Sequence, residues 1–337
     1  MSRNQRFWAL PCAVLGLLIS LVVASSIGSV MIPPSDVAHS LLLCPFAEAC
    51  DGVSPLMHKI LWEIRLPEVC MAMLTGAGLA VTGAILQAVT RNPLADPYLF
   101  GISSGASLGA VIVLSTASVV SLSITLGALA GAMLSVGLML VLAGREAAKV
   151  EHLLLSGVAV SFMLSAFTSL ILYYSEPDTA ATLLFWMMGS FSNSQWTMLI
   201  SPALVIVLGV ACFLVYRRWF TALLAGEESA QTLGIPVSRF RLAMLILCAL
   251  ITAVLVANVG GIGFVGLMVP HMARFFVGVQ MGRLVPFCAI LGGVFMVWVD
   301  VLARTLLETQ VLPVGIVTSA IGSLFFFFIL KYRANHE

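Results

Sequence analysis

Charge is scarce in this chain: Asp, Glu, Lys and Arg together make up 9% of its 337 residues. A soluble domain carries about a quarter. That shortage, with 61% hydrophobic residues and a mean hydropathy of +1.10, excludes a water-covered globule. Lysine occurs only at Lys59, Lys149 and Lys331, after His58, Ala148 and Leu330, so no lysine follows a glycine and G-x-x-x-x-G-K-[ST] is absent. If ATP drives this protein, another subunit must hold it. No basic patch with interleaved aromatics is present, which argues against nucleic acid as a partner. Cysteine and histidine spacing makes no metal site and no cofactor is expected: His39, His58, His152, His271 and His336 are scattered along the chain.

Long apolar runs fill the chain almost end to end and leave no polar block able to fold separately, so residues 1–337 read as one membrane domain. Ten spans are predicted, near 7–32, 66–89, 95–114, 119–143, 152–174, 194–216, 240–258, 262–279, 284–302 and 312–331. The fold class is therefore all-α and polytopic. The first run outlasts the core of a signal peptide and reads as an uncleaved helix. With both ends inside, the inner loops hold Arg3, Arg6, Arg91, Arg145, Lys149, Arg217, Arg218, Arg239, Arg241, Arg274, Arg283, Lys331 and Arg333, leaving only Lys59, Arg65 and Arg304 outside. Cytoplasmic loops retain Lys and Arg, so both termini are assigned to the cytoplasm.

Polar residues are concentrated in a few places. RNPLADPYLFGISSGAS (residues 91–107) reads as a tight inner turn in which Asn92 and Asp96 cap the next helix, followed by a small-residue packing surface. GGIGFVGLMVPHMARFFVG (residues 260–278) is a second short span interrupted by Gly and Pro. Paired interrupted spans in the two halves are the pattern of transporters built from inverted repeats. GISSG also matches G-x-S-x-G, and with His271 it raises an intramembrane serine protease as a remote alternative.

Residues 220–241 form the most informative inner loop. Residues 222–233 read as one short amphipathic helix stopped by Gly234 and redirected by Pro236, serving either the membrane interface or a soluble partner. Glu227 and Glu228 favour the partner, since anionic headgroups repel them. On the outer side, Cys44 and Cys50 either bridge or remain two free thiols, whereas Cys12, Cys70, Cys212, Cys248 and Cys288 lie within spans. Arg65 and Arg304 can pair locally with Glu68 and Asp300.

The run RLPEVCMAMLTGAGLAVTGAILQAVTRNPLADPYLFGISSGASLGA (residues 65–110) resembles the permease subunits of binding-protein-dependent ABC importers for iron-siderophores, haem and cobalamin, the FecCD type. So do LLLSGVAVS (153–161), FWMMGSF (185–191), LAGEESAQTLGIPVSR (224–239), GFVGLMVPHMAR (263–274) and LPVGIVTSAIGSLFFFFIL (312–330). The resemblance implies a non-enzymatic subunit of the bacterial inner membrane that pairs with a second copy of itself. Two ATPase subunits lie below and a substrate-binding protein above. Helix 222–233 becomes the coupling helix, with Leu224, Gly226, Glu227, Glu228, Ala230, Leu233 and Gly234 meeting the ATPase. Asn92 and Leu94, with Val150 and Glu151, become the cytoplasmic gate, although the latter two are bulkier than the small hydroxyl residues expected there. Arg65 and Arg304, with Lys59, become docking points for the binding protein. Iron-siderophore is the expected cargo class. An ion-coupled secondary transporter is the alternative, supported only by Asp96 and Asp300 near span ends.

Overall fold

In the computed structural model the described residues are 3–28, 30–44, 50–116, 123–144, 149–307 and 310–334, and all their regular structure is helical. In chain order the helices are α1 (Arg3–Ser26), α2 (Pro34–Leu43), α3 (Pro55–Ile60), α4 (Leu66–Thr90), α5 (Ile102–Ser115), α6 (Ile124–Ala143), α7 (Val150–Tyr174) and α8 (Pro177–Met187). They continue as α9 (Ile200–Val215), α10 (Arg217–Ala225), α11 (Glu227–Thr232), α12 (Val237–Val259), α13 (Val265–Val277), α14 (Met281–Thr305) and α15 (Val314–Ala334). Seven helical stretches are long and apolar enough to cross a bilayer, and three shorter apolar helices, Ile102–Ser115, Val265–Val277 and Val314–Ile329, fall at the remaining predicted spans. This is a multi-pass membrane architecture. Sequence periodicity did not separate α2, α3, α8 and α10, which are short helices in the connections.

The centre of the molecule is α4, buried along most of its length and packed by α9, α12, α13 and α14. Lipid tails are as apolar as leucine, so helices in a bilayer are held by close backbone approach rather than by the hydrophobic effect. At the α4–α14 crossing, a Cβ added to Gly76 would overlap the carbonyl oxygen of Gly292, and one added to Gly292 would overlap that of Gly76. Gly109 and Gly127 make the same contact between α5 and α6. The GISSG stretch is accounted for here, because Gly105 lies against Gly131 of α6.

Two local features depart from the sequence expectation. Residues 97–100 form a 3-10 turn, and α5 proper starts at Ile102 after Gly101, whose φ of 70° is left-handed. Asp96 caps that turn, accepting from the Tyr98 N–H at 2.8 Å, rather than starting an α-helix directly. Further upstream, α3 runs into α4 through a π-helical turn, Leu61–Arg65, in which the Leu66 N–H donates to Leu61 O. Pro67 has no N–H to give, and the irregular turn falls just before it.

Replacing Gly292 with Val is expected to lower stability by about 1 to 3 kcal/mol through forced separation of α4 and α14. Gly137→Ala serves as the control, since no atom lies within 4 Å of a Cβ added there. Thermal unfolding in detergent checks this: Gly292→Val should melt lower and Gly137→Ala should match the parent.

Candidate coupling surface and pathway

The inner loop is more sharply folded than one amphipathic helix. The expected helix 222–233 is broken at Gly226, whose φ of 140° and ψ of 150° end α10 and let α11 start in a new direction. Glu227 and Glu228 then occupy the first turn of α11, where helix N-termini favour acids. Beneath the pair, Phe220, Leu223, Ala230, Ile235, Val237 and Phe240 are buried, with the Phe220 and Phe240 rings 5.0 Å apart. Arg241 pairs with Glu227, and its Nε donates to Val89 O of α4 at 3.2 Å. The hairpin is thus fastened to the central helix. Its free side presents Glu228, Leu224 at 40% exposure and Leu233 at 71%. Of the expected coupling residues, Ala230 therefore packs inward and Glu227 is tied to Arg241, while Gly234 is exposed and turns the chain at a φ of 77°.

The turn after α4 lies beside this surface. Arg91 ends α4 in the left-handed region at φ 54°, Asn92 Oδ1 accepts from the Leu94 N–H at 2.9 Å, and Leu94 is exposed. Gln87, Arg91 and Pro93 line one side of a cavity of about 430 Å³, with Leu224, His271 and Arg274 also in its wall, so hairpin, turn and α13 share one wall. Val150 and Glu151 occupy the first turn of α7, Val150 half-buried and Glu151 exposed.

The two interrupted spans meet. The Ile262 N–H donates to the Tyr98 hydroxyl at 2.6 Å, Gln87 Nε2 donates to Gly266 O at 3.0 Å, and a Cβ added to Gly83 would overlap Gly266. A further junction was not foreseen. Backbone bonds from Ser190 to Val259, Gly261 to Met187, Val314 to Gly189 and Gly315 to Met188 bring together the ends of α8 and α12 and the start of α15. Three of the sequence motifs, FWMMGSF, GFVG and LPVG, thus sit at or beside one irregular node. Gly189 and Gly260 at positive φ and the helix-stopping Pro313 were the signals that could have revealed it.

Beside the node, Ser104 of α5 and Ser161 of α7 are 2.7 Å apart, and Ser165 Oγ donates to Ser104 at 3.0 Å. A cavity of about 700 Å³ opens at the outer ends of α5 and α7, walled by Leu114, Leu170, Tyr174 and Glu176. His271 meets Phe275 and Phe325 edge to face, with ring centroids 5.5 and 5.9 Å apart.

The outer arginines require a correction. Arg65 and Arg304 do not display their charge: Arg65 is 5% exposed, and the Arg304 side chain likewise 5%. Arg304 lies 2.7 Å from Asp300 and 3.6 Å from Glu68, and both arginines donate to Ile27 O at 3.2 Å. Two cations and two carboxylates clamp the ends of α1, α4 and α14, and the guanidinium of Arg65 fills the space where Gly28 lacks a Cβ. The π turn belongs to this arrangement, because it sets the register in which Arg65 faces inward. Lys59 alone of the three remains a surface cation, 68% exposed and 3.8 Å from Glu63.

The outer connection contains a Cys44–Cys50 disulfide with Cα atoms 5.7 Å apart. His39 Nδ1 lies 3.5 Å from Cys50 Sγ, but bridged sulfurs offer no thiolate to a metal.

Residues 16–332 match the FecCD transport family. This chain belongs to that family. The cobalamin import system permease BtuC of Halobacterium salinarum is 40% identical over 283 residues, covering 84% of this chain and 76% of that one. The Fe(3+)-citrate import system permease YfmE of Bacillus subtilis is 34% identical over 325 residues, 95% and 94% of the two chains. The vitamin B12 permease BtuC of Escherichia coli is 33% identical over 332 residues, 97% and 96%. A solved structure of a transporter assigned to the metal-chelate ABC type, in an inward-facing conformation, superposes with a TM-score of 0.82 at 28% identity, covering 96% and 98%.

Arg304→Gln removes the direct ion-pair partner of two buried carboxylates and leaves Arg65 as the cluster's one cation. It is expected to destabilise the protein by about 3 to 5 kcal/mol, far more than the loss of a surface docking contact. A thermal melt of the variant beside Lys59→Gln, which should melt like the parent, checks the assignment. In native, non-reduced protein, alkylation followed by mass spectrometry should leave Cys44 and Cys50 unlabelled.

Proposed function

We propose that this chain is the membrane permease of an ABC importer that moves a metal chelate from the outer side to the cytoplasm of a bacterial inner membrane. All ten expected spans cross the bilayer, both termini lie inside, two copies form the pathway, and separate ATPase subunits supply the energy. The α10–α11 hairpin carries this reading. It offers an exposed apolar and acidic edge to a soluble partner, and Arg241 links it to the last turn of α4, which runs directly into the gate turn of Asn92 and Leu94. Nucleotide-driven movement of the partner would push on the hairpin and reach the gate through the shared cavity wall, a rigid-body form of alternating access. Val150 and Glu151 would complete the gate from α7. Lys59 is the exposed candidate for binding-protein docking.

Cobalamin and ferric citrate, the cargoes named for the relatives, are the first to test, before iron-siderophores and haem. The carboxylates within the expected spans are engaged, Glu68 and Asp300 with Arg304 and Asp96 with the Tyr98 N–H, which weakens the ion-coupled alternative.

The test reconstitutes the permease with its ATPase and binding protein in liposomes and measures ATP-dependent uptake of radiolabelled cobalamin and ferric citrate. Leu233→Arg and Glu228→Arg should each cut uptake and ATPase stimulation by about tenfold while leaving insertion intact, the effect of losing one interface anchor. Full uptake in both variants would remove the hairpin from the coupling path.

A further inference from the structure

The inner face holds a second polar site that the transport reading leaves unused. Where α10 meets the start of α14, a cavity of about 360 Å³ is lined by Arg217, Arg218, Thr221, Gln280, Gly282 and Arg283. Three guanidiniums converge with no carboxylate in the lining, so the pocket has a strong positive field. Its placement is built into the fold: Arg217 lies across Gly282, with Cδ 3.3 Å and Nη1 3.7 Å from where a Cβ would stand. A side chain at 282 would crowd Arg217, so the small residue keeps that arm against α14.

Two independent features locate this pocket at headgroup depth. Tyr216 and Trp219, half-buried and adjacent in sequence to the arginines, pack against the buried Phe240, and amphipathic rings of this kind are enriched at headgroup level. Above it, α9 exposes Leu204, Val207, Leu208 and Val215 along one face, at 59% to 75% exposure. That apolar stripe ends two residues before Arg217. A charged pocket at the foot of a lipid-facing stripe matches a phospholipid, with acyl chain along α9 and phosphate below.

We infer that Arg217, Arg218 and Arg283 hold the phosphate of an anionic phospholipid from the inner leaflet, with Thr221 and Gln280 as hydrogen-bond partners to the headgroup. Bidentate guanidinium–phosphate geometry favours arginine over lysine for this task. The bound lipid would tie α10, the first arm of the coupling hairpin, to α14.

Native mass spectrometry of the permease released from phosphatidylglycerol nanodiscs tests the assignment. The parent should retain phosphatidylglycerol over phosphatidylcholine, and Arg217→Gln with Arg283→Gln should weaken retention roughly 30-fold, as expected for two interfacial cations. The charge-matched control Arg239→Gln with Lys331→Gln should retain lipid like the parent. Equal retention by the Arg217/Arg283 variant overturns the site. Inorganic phosphate binding in lipid-free detergent as tightly as the lipid would assign the pocket to a free anion and overturn the lipid reading. Loss of lipid from the parent on assembly with the ATPase would give the arginines to that partner's carboxylates, with the same consequence.

Discussion

Close approach of backbone to backbone is the constraint on which the rest of this structure depends. In water, α4 and α14 could be driven together by burying leucines, but in lipid that force is absent. The contact rests on Gly76 and Gly292, each in the space a methyl group would take on the other. Because α4 is clasped in this way, the elements hung on it acquire fixed positions. The Arg91–Leu94 turn follows from its C-terminal end, Arg241 donates to Val89 O just before that turn, and the ion cluster closes around its start.

The outer cluster shows how a membrane protein uses charge when it has little. Arg65 and Glu68 at the start of α4 and Asp300 and Arg304 at the end of α14 neutralise one another out of reach of water, beside the Ile27 carbonyl that follows α1. Removing both signs together would cost little, whereas removing one leaves its partners uncompensated. The cluster therefore fixes how three helix ends meet more than it adds to stability.

Much of this was legible in the sequence, and the reasons for the failures are physical. Apolar runs located all ten long or shorter apolar helices, because length and hydropathy are local properties. Asp96 was identified as a cap for the same reason. The break at Gly226 escaped notice because residues 222–233 keep a helical period across a glycine, and periodicity does not report φ. The burial of Arg65 and Arg304 escaped notice because a positive charge outside the inner loops suggests a surface. Only the three-dimensional meeting of helix ends, with a π turn before Pro67 setting the register, turns both inward. The node of residues 187–190, 259–262 and 313–315 was present as three separate motifs, but a sequence holds no record that distant carbonyls and N–H groups will find one another.

The hydroxyl of Tyr98 accepting the Ile262 N–H, with Gln87 reaching Gly266, joins the two irregular spans into a single block. Neither span can unwind alone without leaving a polar backbone group bare in an apolar medium, where water is not at hand to replace the lost partner. The 97–100 turn, α4 and the chain entering α13 therefore hold together as one piece. A polar group paired across two spans thus costs the chain local freedom that an all-apolar crossing would leave it.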